Sequence, residues 1–332
     1  MGVRIERAVE ADRFDEALPT EGGRESGAAD AEYWVARRGA DVVAKLATYG
    51  VRGLEASPAS ALVGHYAATD GDAGRALLRA AALTLHAAGA RRVFGPMNGS
   101  TWHRYRLALP PEDPSASPEA AFLGEPTNPP RYVEDFTGAG FAPVAWYEST
   151  IQADLTHEDP RAADAARGVD AAGISIAPLR RDRFAEILDV LHSLSVTAFK
   201  RNFLYSPIDA ARFRALYEPA RGILHPELVL LARDATDAIV GVAFAIPDVV
   251  GARLGRAGRV VLKTLAVSPA LRRLGLGTLL VDRVRARSLE LGHRAVIHAL
   301  MHVQNSSRRI SERTSTPFRR YALLEWSEAR AG

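Results

Sequence analysis

Cysteine is missing altogether from the 332 residues. Its absence excludes disulfides, thiolate metal sites and a cysteine nucleophile, so group transfer through a covalent cysteine adduct is closed to this chain. Also missing is any run of about 18 or more apolar residues, the minimum for a membrane-spanning helix, and no membrane partner is expected. Residues 1–16 alternate charge with small residues and lack the apolar core of a secretory signal, which points to a cytoplasmic location. Neither sign of charge is in large excess. With 42 Lys+Arg against 39 Asp+Glu the formal net charge is +3, so an anionic partner must be met by a local cluster rather than by the whole surface.

What is present suits a folded protein about twice the usual single-domain length, and two compact units are expected. Residues 33–49 alternate apolar and polar side chains around Gly39-Ala40-Asp41, the pattern of a strand hairpin. A strand over 61–68 follows, then a helix from Asp70 with Leu77, Leu78, Ala81 and Leu85 on one face, a short strand at 92–95, a Pro-rich loop or lid over 110–130, a helix near 130–138 and a strand pair within 141–155. The Ala-, Asp- and Arg-rich stretch 157–173 has no strand character and is assigned as a linker between a unit at 1–156 and one at 174–332. After it the order restarts: strand 174–179, helices over 184–194 and 208–217, strands at 228–233, 239–246 and 260–267, helix 277–291, strand 295–303, short helix 306–313, strand 319–326. That order makes a mixed α/β protein built from two similar halves.

The most informative segment runs from Leu265, Ala266 and Val267 through Ser268-Pro269 to Arg272-Arg273-Leu274-Gly275-Leu276-Gly277-Thr278. A strand is stopped by proline, and two glycines let the chain turn tightly into an amphipathic helix. Such a loop aims free N–H groups and the positive end of a helix dipole at one point, a geometry that suits a diphosphate, with Arg272 and Arg273 adding charge beside it.

The Arg-x-x-Gly-x-Gly spacing with its Val-x-Pro lead-in resembles the acyl-CoA signature of the GNAT acetyltransferase superfamily, over about 174–326 and more loosely over 30–155. The resemblance implies two tandem GNAT-like domains, each a mostly antiparallel twisted sheet with flanking helices and a splayed central strand pair. It further implies that the backbone of Leu265, Ala266 and Val267 pairs with a pantetheine arm, that residues 272–278 hold the diphosphate, and that Asn305 touches pantetheine; capping of the next helix is the alternative for Asn305. The co-substrate would be acetyl-CoA, another acyl-CoA, or the phosphopantetheine of an acyl-carrier protein, with no metal. Arg283, Arg285, Arg287, Arg308, Arg309, Arg313, Arg319 and Arg320 could receive the 3′-phosphate of CoA or a carrier protein's acidic surface.

The acid–base residues usual in the family are missing. Where a glutamate base and a tyrosine acid are expected, this chain has Lys263 and Glu312, which serve only if burial shifts their pKa values. His298 and His302, four apart on a strand and so expected on one side of it, are substitutes that could deprotonate an amine; packed core histidines are the alternative. Tyr321 is another candidate acid, or a packed aromatic.

The first half carries Asp70 and Asp72 where the second has arginines and glycines, so it should repel a diphosphate. It is rich in polar and aromatic residues at 95–106 and 125–132, where Asn98, Trp102, Tyr105, Asn128 and Tyr132 are candidates to bind a small-molecule amine acceptor, or else to pack and cap turns. The expectation is direct acyl transfer to an amine in a ternary complex, by a monomer or homodimer. The alternatives are a non-catalytic acyl-CoA or carrier-protein binding module and, more weakly, a nucleic-acid binder, against which the absence of aromatics among the arginines argues.

Overall fold

The computed structural model describes residues 2–8, 18, 31–54, 57–112, 120–200 and 202–328. Among these, strands β1 (Val3–Ala8), β2 (Ala31–Arg38), β3 (Asp41–Leu54), β4 (Ser57–Ala68) and β5 (Arg92–Gly95) form one side of a long sheet, with helix α1 (Gly71–Ala87) between β4 and β5. Asp70 starts α1 by accepting the Ala73 N–H at 3.0 Å, and Leu77, Leu78, Ala81 and Leu85 bury the face that the sequence assigns to the core. A two-residue strand β6 (Leu107–Ala108), helix α2 (Arg131–Gly138) and strand β7 (Ala142–Gln152) complete this half of the chain. The strand pair expected within 141–155 is thus a single long strand.

The assigned linker is not one. Residues 162–171 form helix α3 (Ala162–Ala171), and its Ala165 and Val169 are buried against the second half. Alanine and valine at helical spacing supply this apolar face, which the Asp and Arg between them hide from a reading by composition.

Beyond α3 come β8 (Ser175–Pro178), α4 (Phe184–Phe199), α5 (Ala210–Tyr217), β9 (Val229–Arg233), β10 (Ile239–Pro247), α6 (Val249–Arg253), β11 (Arg259–Val267), α7 (Leu276–Glu290), β12 (Ala295–His302), α8 (Ser306–Ser311) and β13 (Thr316–Trp326). Alternation along β10 gives this sheet two covered faces. Ala243 and Ala245 join the core under α7, whereas Val242, Phe244 and Ile246 join the core under α4 and α5.

The sheet is continuous, in the order β1-β2-β3-β4-β5-β13-β7-β12-β11-β10-β9-β8. The two halves exchange strands at its centre: β13, last in the chain, lies against β5 of the first half, and β7 lies against β12 of the second. A division at 157–173 therefore separates the halves in sequence but not in space. Arg92 fixes the exchange from β5 with a two-pronged pair to the buried Glu325 of β13, at 2.8 and 2.5 Å. A shared apolar cluster, including Tyr49, Phe94, Tyr147 and Tyr321, fills the seam. Apart from the parallel pairs β4–β5 and β11–β12, the pairing is antiparallel. The mixed α/β architecture expected from sequence is present.

Candidate functional site

Strands β11 and β12 pair only from Arg259↔Ala295 to Leu262↔His298 and then part. Two bulges explain the fork. Lys263 is the extra residue in the β10–β11 register, which passes from Thr264↔Phe244 to Leu262↔Ala245. Opposite it, Ala299 and Leu300 interrupt the register of β12 with β7, and Leu300 sits at φ 59°. Each bulge turns its strand away from the other.

The fork leaves an open edge on β11. Ser268 N–H donates to Val240 O at 2.8 Å, and amide direction alternates along a strand, so Leu265 and Val267 point their N–H and C=O groups away from β10. They face the side from which β12 has departed; Ala266 faces β10. Of the three residues expected to pair with a pantetheine arm, two therefore turn their backbone groups toward the open edge and one does not.

Past Val267 the chain makes a 3-10 turn over Pro269–Leu274, and Gly275 adopts φ 77° to enter α7. The first bond into the helix is Leu279 N–H to Gly275 O at 3.0 Å. Among the described residues the N–H groups of Leu276, Gly277 and Thr278 have no acceptors, as at any helix start. Arg272 and Arg273 are exposed and make no ion pair among the described residues. The Thr278 hydroxyl accepts from Arg313 at 3.1 Å, and Arg313 also neutralises the buried Asp159 at 2.6 Å, so that carboxylate does not oppose an anion here.

Asn305 precedes α8 but makes no side-chain capping bond, and it lines the cavity below the fork. The capping alternative is thus not what the structure has. Most of the arginine cluster is already engaged: Arg285 with Asp282, Arg287 with Glu290, Arg308 with Glu148, Arg313 with Asp159, Arg319 with Glu125 and Arg320 with Glu112.

The cavity itself has a volume of about 760 Å³. His298 and His302 both line it, but from opposite faces of β12, because the bulge at 299–300 breaks the alternation that would have put them on one side. His298 is 2% exposed, its Nδ1 lies 2.6 Å from Ser311 Oγ, and its Nε2 has no partner. Burial pulls its pKa down to about 4, so it is neutral near pH 7. His302 packs edge-on to Tyr147 and accepts the Gln304 N–H at Nδ1, 3.1 Å away, which puts the proton of its neutral ring on Nε2. Burial, and then the charge of Arg106, lower its pKa too.

Lys263 lines the same cavity from the β11 bulge, with its Nζ against Gly124; desolvation, then Arg106, pull its amine down to about 8. Tyr321 and Glu312 do not line the cavity. Tyr321 is fully buried, donating to Glu125 at 2.7 Å, and Glu312 is exposed beside Arg308.

The five residues proposed for an acceptor are divided. Trp102 and Tyr105 line the main cavity, and Trp102 reaches across to donate to Ser206 O at 2.7 Å. Asn98, Asn128 and Tyr132, with Tyr105, line a smaller cavity of about 230 Å³ at the fork of β4 and β5. There Asn98 accepts from His65 N–H at 2.7 Å, Tyr132 from Ala68 N–H at 3.1 Å and Asn128 from Ala108 N–H at 2.7 Å. These bonds narrow the first half's own fork to that small cavity.

Sequence reasoning missed Arg106, Tyr147, Tyr205 and Tyr217 as cavity residues, since they come from four separate segments and no local pattern unites them. Among the described residues no group of three His, Asp or Glu could hold a metal ion, and no helix is long and apolar enough to cross a membrane.

Residues 191–313 match the acetyltransferase (GNAT) family. No curated protein sequence matches the chain. Among solved structures, a GCN5-related N-acetyltransferase from Sphaerobacter thermophilus aligns at 16% identity with a TM-score of 0.52, over 91% of this chain and 82% of its own. A tandem GNAT protein from the clavulanic acid biosynthesis pathway aligns at 15% identity and TM-score 0.52, over 98% of both chains. The glucosamine N-acetyltransferase region of a fungal multi-domain GH3 beta-N-acetylglucosaminidase gives 14% identity and TM-score 0.57, over 98% of this chain and 38% of that one. At such identities the likeness establishes the fold.

Proposed function

We propose that this chain, which carries a GNAT acetyltransferase domain within a tandem GNAT fold, moves an acyl group from a pantetheine thioester to the amine of a small molecule, with both bound together. The observation that carries this reading is the fork of β11 and β12 together with the amides at 276–278 and the side chains of Arg272 and Arg273, none of which has a partner among the described residues. Leu265 and Val267 would hold the pantetheine arm by their backbone, Asn305 by its side chain, and residues 272–278 the diphosphate by charge and N–H groups. When bound, the donor supplies an activated acyl carbon.

No carboxylate base is needed. The desolvation and the Arg106 charge that lower the Lys263 pKa also favour the neutral form of an amine brought into the same cavity, which gives up its proton to solvent before attack. The amine nitrogen then bonds to the acyl carbon and the C–S bond breaks. The remaining extra proton on nitrogen leaves and the thiolate gains one, so the transfer balances. His302 Nε2–H is our candidate to steady the departing sulfur, and the unpartnered His298 Nε2 our candidate to accept a hydrogen bond from the amine.

The narrowed fork of the first half, with its small cavity, supports one donor site per chain. Calorimetry with CoA and native mass spectrometry with acetyl-CoA, longer acyl-CoAs and acyl-carrier proteins test this. One CoA per chain, with thiol released only when an amine is present, is expected. No CoA binding would overturn the reading, and binding without turnover over a broad amine panel would favour a non-catalytic binding module, motivated by the missing glutamate and tyrosine.

A further inference from the structure

Among the described residues the cavity has cations in its wall and no anions. Arg106 comes from the first half and Lys263 from the second, while among the described residues no aspartate or glutamate lines it. The buried acids of the surrounding strands and loops are neutralised elsewhere: Glu148 by Arg308 at 2.5 Å, Glu125 by Arg319 at 2.8 Å and Asp248 by Arg259 at 3.0 Å. Lys263 makes no hydrogen bond or ion pair among the described residues. The Arg106 guanidinium has no counter-ion among the described residues; it lies between the rings of Tyr105 and Tyr147 at 3.8 and 4.1 Å and gives an N–H to Leu300 O at 3.2 Å.

A buried or half-buried cation without an anion is costly unless a ligand completes it. Two such cations in one cavity oppose any acceptor that is only a cation, so polyamines and multiply charged amino sugars are poor fits. The rest of the wall is aromatic and apolar, with Trp102, Phe199, Tyr205, Tyr217 and Phe244 from both halves.

We propose that the cavity binds a carboxylate, and that the acceptor is amino-acid-like: an amine and a carboxylate on an aromatic or branched apolar body, with Lys263 and Arg106 receiving the carboxylate. This rests on the acyl-transfer reading for the word acceptor, though not for the carboxylate. The same charge could be borne by a dicarboxylic acyl chain instead, which the experiment separates.

The test is calorimetry on the full chain with L-phenylalanine, 3-phenylpropionate and phenethylamine as probes, in parallel with acetyl-CoA and succinyl-CoA, for the wild type, Lys263→Met and Lys263→Arg. Melting curves confirm that each variant is folded. The wild type should bind the two carboxylates at least about ten-fold more tightly than phenethylamine; Lys263→Met should cut that advantage to about three-fold or less, and Lys263→Arg should keep most of it. If the small carboxylates do not bind but succinyl-CoA binds about ten-fold more tightly than acetyl-CoA, and Lys263→Met erases the difference, the carboxylate belongs to the acyl group. The proposal is overturned if phenethylamine binds as tightly as the carboxylates, if no carboxylate probe binds, or if the preference survives in Lys263→Met. Failure of CoA to bind while 3-phenylpropionate binds would sink the acyl-transfer reading and leave this one standing.

Discussion

The two glycines of the helix-start motif should fail in different ways when replaced, and the difference tests whether the loop binds a diphosphate. Gly275 lies at φ 77°, and a Cβ there would come within 2.9 Å of the Ala165 side chain and 3.3 Å of its Cα. The left-handed conformation costs a non-glycine residue roughly 1–2 kcal/mol. Crowding against the α3 backbone adds about 1–2 kcal/mol, because a packed helix does not step aside as a side-chain tip does. Gly275→Ala should therefore lose ~2–4 kcal/mol and lower Tm by about 4–8 °C. Gly277 has ordinary helical geometry, and its Cβ would meet Ile310 Cδ1 at 3.2 Å, with Leu265 at 3.8 Å and Val267 at 3.9 Å. That is the mouth between α7, α8 and the open edge of β11. Gly277→Val gains helix propensity against a small clash with a movable methyl, so its Tm should stay within about 2 °C of wild type. Its CoA affinity should fall at least ten-fold, because on the proposed reading the added methyls would sit where the donor's arm meets its diphosphate. Differential scanning fluorimetry and calorimetry with CoA give both readouts. A Gly277→Val protein with unchanged Kd for CoA would refute the diphosphate assignment, and a Gly275→Ala protein that melts with wild type would refute the backbone argument.

Two pH-linked outcomes follow from the cavity. Lys263 folds with a pKa near 8 against an ordinary value of 10.5, so holding its proton in the fold is unfavourable below about 8, and the penalty fades as pH rises from 8 to 10.5. Lys263→Met should thus melt higher than wild type at pH 7, with the gap closing by pH 10; an equal gap at both pH values would show that this amine is not the group that titrates. His298 is held neutral, with a pKa near 4 against 6.5, so its contribution is complete above pH 6.5 and is lost as pH falls to 4. The loss is at most about 3 kcal/mol, and His298→Gln should flatten the stability profile in that window by up to ~1.4 kcal/mol per pH unit in urea melts, whereas parallel profiles would contradict its burial as the neutral ring.

How much was readable depended on whether the signal was local. Arg272 to Thr278 carried its own meaning, since proline, glycine and apolar periodicity within a dozen residues dictate strand, turn and helix. The strand at Arg92–Gly95 and helices at 71–87 and 276–290 were legible for the same reason. Bulges were not, because one extra residue at Lys263 or Ala299 leaves no mark in the alternation pattern until a partner strand is known. That one blind spot misplaced His302 relative to His298 and hid the cause of the fork. The exchange of β7 and β13 was equally invisible, since which strand pairs with β5 is decided some 230 residues away, at Glu325 opposite Phe94. Arg106 passed unnoticed among its neighbours for the same kind of reason: its importance lies in the absence of carboxylates around it, a property of the assembled cavity.

The strand exchange also explains why a half with a narrowed fork belongs to the same chain as an open one. In the first half, Met97 N–H bonds to Val63 O at 2.8 Å and Asn98 takes the His65 N–H, so the loop after β5 plugs the gap where β4 and β5 part. Gly64 is required for that plug, since a Cβ there would lie 2.4 Å from Met97 O. A few residues further on, the same loop sends Trp102, Tyr105 and Arg106 into the cavity of the second half. Fixing 97–98 in the first fork anchors 102–106 at the second. Because β13 and β7 lock the halves into one sheet, that anchor cannot drift relative to β11 and β12. The plugged fork is thus the fixed point from which half of the cavity wall is built, and the aromatic and cationic character of the cavity depends on the half that offers no open fork of its own.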